Sequence, residues 1–272
     1  MSYQLLKGKK GIIFGALDEK SIAWKTALKC YEEGAQIVLT NAPVALRMGE
    51  INKLSALCGN APVIGADVTN MEDLKQLFEQ SMQHFGGKVD FVLHSIGMSL
   101  NVRKGKHYTE MNYEWNSKTL DISAMSLHRV LRTAWDLDAL NEWGSVVALS
   151  YIAAQRVFPD YNEMADAKAL LESVTRSFGY HYGAKKKVRV NSISQSPTRT
   201  TAGSGVKGFD GFINYAEKMS PLGNASAEDC ANYITMMFSD MTRMVTMQNL
   251  FHDGGFSFTG VTGAVIDQME KE

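Results

Sequence analysis

Short apolar segments alternate with longer segments of helical periodicity along most of the chain, and this alternation constrains the fold more than any other feature. The predicted strands cover residues 11–14, 36–40, 61–66, 89–94, 144–150, 187–192 and 248–252. The predicted helices cover residues 21–33, 44–57, 71–85, 163–182 and 212–219. Strands that alternate with helices of this length form βαβ units, so the pattern predicts an α/β fold with a Rossmann-type, doubly wound parallel sheet.

The chain contains no internal repeat, low-complexity tract or linker rich in Pro or Ser. Residues 1–272 are therefore predicted to form a single dinucleotide-binding domain. Ligands of parallel sheets bind beyond the carboxyl ends of the strands, so residues that directly follow strands are the candidate site residues. The segment 194–210 is rich in Ser, Thr and Gly, and it forms either an active-site lid or a disordered insertion.

Charge and cysteine content exclude several functional classes. The 28 Lys and Arg residues nearly balance the 29 Asp and Glu residues, so we expect no general affinity for nucleic acid or for a membrane surface. No apolar run is long enough to span a bilayer, and the amino terminus has no signal-peptide profile. Cys30, Cys58 and Cys230 are far apart, which is typical of reduced thiols in the cytoplasm and provides no metal site.

Two tyrosines and a lysine follow the strand predicted over residues 144–150. Tyr151 comes directly after that strand, and Tyr161 precedes Lys168 by seven residues. Seven residues make almost two helical turns, so the side chains of Tyr161 and Lys168 are expected on one helix face. A phenol beside an ammonium group can donate a proton and stabilise an oxyanion. The alternative is a helix that carries Tyr and Lys on one face by chance.

The spacing Tyr161-x-x-Met164-x-x-x-Lys168 resembles the signature of the enoyl-acyl-carrier-protein reductases, a divergent branch of the short-chain dehydrogenase/reductase family. In ordinary members of that family the tyrosine precedes the lysine by four residues, and here that position holds Met164. The resemblance extends from about residue 6 to residue 258. It implies an enzyme of fatty-acid biosynthesis that reduces the trans-2 C=C bond of an enoyl thioester, on acyl carrier protein, by hydride transfer from NADH.

The resemblance also implies roles for the catalytic residues. Tyr161 would stabilise the charge that develops on the thioester oxygen, and Lys168 would bind the hydroxyls of the nicotinamide ribose. Tyr151 would lie near the substrate as a proton relay, an orienting group or part of the acyl pocket, unless it is simply a strand-end aromatic. Ser99 would join Tyr151 and Tyr161 in binding substrate.

The turn after the first predicted strand is the first candidate cofactor contact. Gly15 allows the backbone to approach a pyrophosphate, and a helix that begins near Ser21 would direct its amide groups at the same phosphate. The alternative is an ordinary loop in which Ser21 is the N-cap. The resemblance implies that Gly15, Ser21 and Ile22 contact the dinucleotide, although Lys25 stands where the family usually has glycine.

Other cofactor contacts are implied by motifs after later strands. Asp67 and Val68 resemble the pair that binds the adenine ring, and the alternative is that Asp67 caps the next helix. The remaining implied contacts are Ser95, Ile96, Gly97, Thr198 and Thr200.

The end of the second predicted strand bears on the choice of cofactor. Residues 40–47 contain neither an acidic residue for a ribose 2′-hydroxyl nor a pair of basic residues for a 2′-phosphate. Ala42 also replaces the glutamine that NADH-dependent relatives often carry. Because Arg47 is the only nearby cation, NADH is the favoured cofactor and NADPH the alternative.

The resemblance further implies a small substrate-binding lid at about residues 198–218 and a homotetramer packed through residues 251–258. The lid keeps Lys207 but has Asp210 and Gly211 where relatives often carry cations for the acidic carrier protein. Docking of the carrier would then be weaker or would use other cations, namely Arg103, Lys104 and Lys106. The alternative for Lys104 and Lys106 is an ordinary solvated loop.

Two other functions compete with this interpretation. A short-chain enzyme that reduces a ketone or a 3-oxoacyl thioester shares the fold, but the spacing of Tyr161 and Lys168 disfavours it. A regulatory protein that binds the nucleotide without turnover is the second rival. The joint presence of Tyr151, Tyr161 and Lys168 disfavours that loss of turnover.

Overall fold

The computed structural model describes residues 2–201 and 208–271, and its centre is a sheet of seven parallel strands. The strands lie in the order β3-β2-β1-β4-β5-β6-β7. After β3, at one edge, the chain returns to the middle of the sheet and forms β4 beside β1. The strand order therefore reverses between β1 and β4, and ligands of such sheets bind at this position. The strands are β1 Lys10–Phe14, β2 Gln36–Asn41, β3 Val63–Gly65, β4 Val89–His94, β5 Leu140–Ser150, β6 Arg189–Gln195 and β7 Asn249–His252.

Helices cover both faces of the sheet. One face packs against α4, α7 and α8 through a core that includes Phe78, Leu131 and Leu171. The other packs against α1, α3 and α10, where Trp24 and Phe238 are fully buried. This arrangement confirms the predicted doubly wound α/β fold. The helices are α1 Ile22–Glu32, α2 Pro43–Met48, α3 Ile51–Leu57, α4 Met71–Phe85, α5 Leu100–Arg103, α6 Tyr113–Leu120, α7 Ser126–Asp136, α8 Glu163–Lys186, α9 Phe209–Met219, α10 Ala227–Phe238 and α11 Gly263–Met269.

The helix predicted over residues 44–57 is in fact two helices, α2 and α3. The break occurs at Gly49, where an added Cβ would lie 2.9 Å from the carbonyl oxygen of Leu17. The next residue, Glu50, donates its backbone N–H to the same carbonyl oxygen at 3.0 Å. Contact with the loop after β1 therefore ends α2, and this contact joins elements that are distant in sequence.

The three cysteines are free, buried thiols. Burial raises the pKa of Cys30, of Cys58 and of Cys230 to about 12, so these thiols remain protonated and unreactive at neutral pH. Within residues 2–201 and 208–271, no three His, Cys, Asp or Glu side chains are grouped as metal ligands. None of the helices in these two ranges combines the length and the apolar composition of a bilayer span.

Candidate active site

A cavity of about 670 Å³ lies at the carboxyl ends of the central strands. Most residues predicted to form the site line this cavity. From the first half of the chain its wall includes Gly15, Ser21, Ile22, Ser95, Ile96 and Gly97. The other predicted residues in its wall are Ser99, Tyr151, Tyr161, Lys168, Thr198 and Thr200.

The turn between β1 and α1 passes directly against the backbone that follows β4. Gly15 has a φ of +91°, and a Cβ at this position would lie 1.9 Å from the carbonyl oxygen of Ser95. Ser21 is the N-cap of the eleven-residue helix α1, because its side chain accepts a hydrogen bond from the backbone N–H of Trp24. A glycine cradle beside the amide groups of a helix amino terminus fits the pyrophosphate of a dinucleotide.

Gly15→Ala should weaken binding of NADH more than tenfold and lower the free energy of unfolding by about 2–4 kcal/mol, since it combines backbone strain with a steric clash. Gly8→Ala is the matched control: Gly8 has a φ of +76°, but beyond its two chain neighbours no atom of the described residues lies within 4 Å of an added Cβ. It should cost only the strain, about 1–2 kcal/mol, and leave cofactor affinity unchanged. Urea unfolding and titration of nicotinamide fluorescence measure both effects. Equal losses in the two variants would show that the contact with Ser95 is unimportant.

Tyr161 lies in the turn before α8 and not on the helix itself, which begins at Glu163. The prediction that Tyr161 and Lys168 share a helix face is therefore wrong, although both side chains line the cavity. Asn162 shapes this turn with a φ of +47° and accepts a hydrogen bond from Glu163 N. Its side-chain amide also donates to the Lys106 carbonyl oxygen at 2.7 Å, which fixes the turn against the loop after α5.

The two predicted tyrosines lie in an aromatic cluster. The ring centroids of Tyr151 and Tyr161 are 5.1 Å apart, and Phe158 and Phe212 pack around them. The Tyr151 hydroxyl is buried without a hydrogen-bond partner among the described residues. Burial raises the pKa of both phenols, assisted at Tyr151 by Tyr161 and by the charge of Asp253. Both phenols therefore stay protonated at neutral pH and remain hydrogen-bond donors in residues that line the cavity.

Lys168 is a buried cation at the cavity wall, with only 8% of its surface exposed. Its Nζ donates to the carbonyl oxygen of Leu149, near the end of β5, at 2.7 Å. Burial lowers the pKa of Lys168 to about 8, and the negative charge of Glu172 acts in the opposite direction. The side chain thus presents an ammonium group that loses its proton as the pH rises through about 8.

The loop after β4 is held by a π-helical turn at Asp121–Met125, between α6 and α7. Ser123 Oγ in this turn accepts from Met98 N at 2.9 Å and donates to the Met98 carbonyl oxygen at 3.0 Å. The Ser99 hydroxyl donates a hydrogen bond to the buried carboxylate of Glu163, the first residue of α8, at 2.6 Å. It also accepts a hydrogen bond from Val102 N on α5 at 3.1 Å. Ser99 therefore lines the cavity with a hydroxyl already bound to its own surroundings.

The predicted lid at about residues 198–218 is described only in part. Arg199 forms an ion pair with Asp210, and Thr201 donates a hydrogen bond to Asp18 in the loop after β1. Helix α9 contributes aromatic side chains to the cavity at Phe212 and Tyr215. The glycines Gly203 and Gly205 and the proposed docking residue Lys207 lie outside the described residues.

Asp67 and Val68 do not line the cavity described above. Asp67 is exposed, and its carboxylate accepts from the backbone N–H of Thr69 at 2.9 Å and from the Thr69 hydroxyl at 2.7 Å. Val68 packs in the hydrophobic core. The cap of α4 is Asn70, so Asp67 is not the helix cap that the alternative interpretation proposed.

Several cavity residues were not singled out in the sequence, although three of them lie within the predicted lid. Phe209, Phe212 and Tyr215 recur every third residue along α9, and this periodicity is a signal that could have identified an apolar face. Other residues of the wall gave no sequence signal: Met98, Val102, Phe158, Gln195 and Ser196.

Comparison with known proteins gives a consistent result. Residues 15–257 match the family model described as Enoyl-(Acyl carrier protein) reductase. The chain is 32% identical over 259 residues to enoyl-acyl-carrier-protein reductase (NADH) 2 of Rhizobium meliloti, a match that covers 94% of each protein. It is 32% identical over 270 residues to the corresponding NADH enzyme of Aquifex aeolicus, with 98% of each chain covered.

Solved structures show the same similarity. The FabI–NADH complex from Alistipes finegoldii superposes with a TM-score of 0.95 at 62% identity, and the match covers 96% of this chain and 92% of that one. The Bacillus cereus reductase crystallised with NADP+ and an indole naphthyridinone has a TM-score of 0.88 at 30% identity, and the match covers 96% of this chain and 100% of that one.

Proposed function

The chain belongs to the enoyl-acyl-carrier-protein reductase family, and we propose that it reduces the trans-2 C=C bond of enoyl thioesters, carried by acyl carrier protein, with NADH during fatty-acid elongation. The observation that supports this activity most strongly is that Tyr151, Tyr161 and Lys168 meet at one cavity with the Gly15 turn. The first three supply the donors for the chemistry, and the turn supplies the place for a dinucleotide.

The residues around the cavity fit the cofactor. NADH, when bound, supplies the hydride that adds to C3 of the enoyl thioester. Gly15 and the first amide groups of α1 bind the pyrophosphate, because the glycine lets the turn pack against Ser95 and the amino terminus of α1 offers N–H groups to an anion. Lys168 donates to the nicotinamide ribose hydroxyls and orients the cofactor. The other proposed cofactor contacts are Ser21, Ile22, Ser95, Ile96, Gly97, Thr198 and Thr200.

Tyr161 is the proposed electrostatic catalyst. As hydride adds at C3, negative charge develops on the thioester oxygen, and the Tyr161 hydroxyl donates a hydrogen bond to that oxygen. Because burial raises its pKa, the phenol holds its proton until this charge appears. A proton from Tyr161 or from water then reaches C2. The Tyr151 ring forms part of the wall beside the substrate, and its hydroxyl, which has no partner in the described part of the chain, is the second phenolic donor of the site.

The end of β2 supports NADH over NADPH. Of residues 40–47, only Asn41 and Ala45 line the cavity. The Asn41 side chain is already used locally, because it donates to the Ala16 carbonyl oxygen at 3.0 Å and accepts from Ala42 N at 2.9 Å. This segment therefore offers the cavity no cation for a ribose 2′-phosphate.

The test follows oxidation of NADH or NADPH by absorbance with purified protein and crotonyl thioester. We expect oxidation that depends on the enoyl substrate and is faster with NADH. Acetoacetyl thioester is the control for a short-chain ketone reductase, and we expect little reaction with it. If NADH binds but neither crotonyl thioester nor an enoyl-acyl carrier protein oxidises it, the protein is a regulatory binder and the proposed function is wrong.

We also propose that the protein is a cytoplasmic homotetramer. The region near the carboxyl terminus exposes large apolar side chains, with Phe258 at 80%, Val261 at 57% and Met269 at 59%. Exposed apolar side chains of this kind favour burial between subunits. The three free thiols are consistent with a reducing compartment. Sedimentation equilibrium and cell fractionation test the two statements, which a monomer or an exported protein would contradict.

A further inference from the structure

We propose that Glu172, one helical turn after Lys168, is a positioning residue that acts on Lys168 and on the segment carrying Tyr151. The inference rests on the proposed function in one respect, the assignment of Lys168 as a cofactor ligand. It is otherwise drawn from the contacts of a buried carboxylate that takes no direct part in the chemistry.

Glu172 forms hydrogen bonds with one residue before Tyr151 and one residue after it in the chain. Its Oε1 accepts a hydrogen bond from the hydroxyl of Ser150, the residue before Tyr151, at 2.7 Å. Its Oε2 accepts from Nε2 of Gln155, four residues after Tyr151, at 3.3 Å. Only 5% of Glu172 is exposed, so the bond from Ser150 forms inside the protein, whereas the bond from Gln155 reaches the carboxylate from the surface. One carboxylate therefore fixes the start and the end of the segment that carries the second tyrosine.

Glu172 also lies one helical turn after Lys168 on α8. Lys168 donates to the Leu149 carbonyl oxygen, and Glu172 accepts from the adjacent Ser150. The two buried side chains thus hold neighbouring residues at the end of β5. Among the ion pairs of the described residues, none includes Glu172.

A buried carboxylate without an ion-pair partner is costly, and neutral residues could form the same two hydrogen bonds. Hydrogen bonding alone therefore does not explain a charged residue at this position, whereas an effect of its charge on Lys168 does. Burial acts to remove the proton from Lys168, whereas the negative charge of Glu172 raises its pKa and favours the ammonium form.

The titratable groups that act on Lys168 or share its cavity wall do not replace the charge of Glu172. His94 on β4 is fully buried, and burial together with the charge of Lys168 lowers its pKa to about 3, so it is neutral. Tyr151 at the end of β5 and Tyr161 before α8 keep their protons because burial raises the pKa of both. Glu172 is the charge that acts on the pKa of Lys168 in the described part of the protein.

The test is Glu172→Gln, which keeps the shape and removes the charge. NADH affinity, measured by nicotinamide fluorescence, should fall in the parent as the pH rises through about 8. In Glu172→Gln this fall should move to lower pH by about one unit, so that NADH binds about fivefold more weakly than to the parent at pH near 8. The profile of kcat/KM should move in the same direction.

Gln155→Ala is the matched control, because it removes a hydrogen bond to Glu172 from an exposed side chain and leaves the charge. Its pH profile should coincide with that of the parent. If Glu172→Gln does not fold, Glu172→Asp takes its place. The aspartate side chain is shorter by one methylene, which moves the carboxylate away from Lys168, so the pH profile of NADH binding should shift in the same direction by a smaller amount.

The inference is wrong if the pH dependence of NADH affinity is unchanged in Glu172→Gln. It is also wrong if Gln155→Ala shifts this pH dependence as much as Glu172→Gln does. The binding readout also separates this inference from the proposed function, because it needs no turnover. A shifted NADH profile in a protein that never reduces enoyl thioesters would support the role of Glu172 and contradict the enzymatic activity.

Discussion

Tyr161→Phe is expected to lower kcat for reduction of an enoyl thioester by about 10²–10³-fold while the affinity for NADH stays within about threefold. The substitution removes one hydroxyl from a ring that otherwise remains packed against Tyr151, at a centroid distance of 5.1 Å. The lost hydrogen bond is made mainly in the transition state, where the thioester oxygen carries charge, so the effect belongs to kcat and not to binding.

Tyr151→Phe is the matched control for Tyr161→Phe, because the two phenols share one aromatic cluster and the same direction of pKa shift. Single-turnover kinetics with NADH already bound compare the chemical step in both variants. We expect the smaller loss from Tyr151→Phe. If Tyr151→Phe instead lowers the rate of the chemical step more, while Tyr161→Phe stays near the parent rate, then Tyr151 has the role proposed for Tyr161.

The succession of strands and helices along the chain could be predicted because each element depends on local periodicity. Helix α4 was predicted at its observed bounds, since Asn70 caps its start and Gly86, with a φ of +62°, ends it. The break between α2 and α3 could not be predicted, because it is caused by the contact of Gly49 and Glu50 with Leu17. Local signals are readable in a single sequence, whereas contacts between distant segments are not.

The π-helical turn at Asp121–Met125 illustrates the same limit within the site. Its extra residue shifts the helical phase between α6 and α7, so one helical periodicity does not run through both helices. Yet this turn places Ser123 against Met98 and thereby supports the loop after β4.

The candidate site was predicted where residues directly follow strands, as at Gly15, Ser95 and Tyr151. The convergence of Tyr161 and Lys168 was expected for the wrong reason, because the turn at Asn162 and not the phase of α8 places Tyr161. Glu172, four residues after Lys168, was readable as a helical neighbour. Its burial was not, since exposure depends on the packing of β5 against α8.

Lys168→Ala is expected to weaken NADH binding by about 1.5–3 kcal/mol, or about 10- to 150-fold, because charge-assisted hydrogen bonds to the ribose are lost. With NADH at saturation, kcat should fall much less. Fluorescence titration gives the dissociation constant, and steady-state kinetics give kcat. Lys186→Ala is the control on the same helix, since Lys186 pairs with Asp138 away from the cavity and its loss should leave NADH affinity unchanged.

A loss of affinity in Lys168→Ala could also arise from misfolding, because removal of the cation leaves Glu172 buried without a nearby positive charge. The double variant Lys168→Met, Glu172→Gln separates the two causes. It keeps side-chain volume and removes both charges, so its free energy of unfolding should recover above that of Lys168→Met alone. If NADH affinity recovers as well, Lys168 acts through stability. If affinity stays low in the refolded double variant, the ammonium group itself binds the cofactor, which is the result that the geometry of Lys168 predicts.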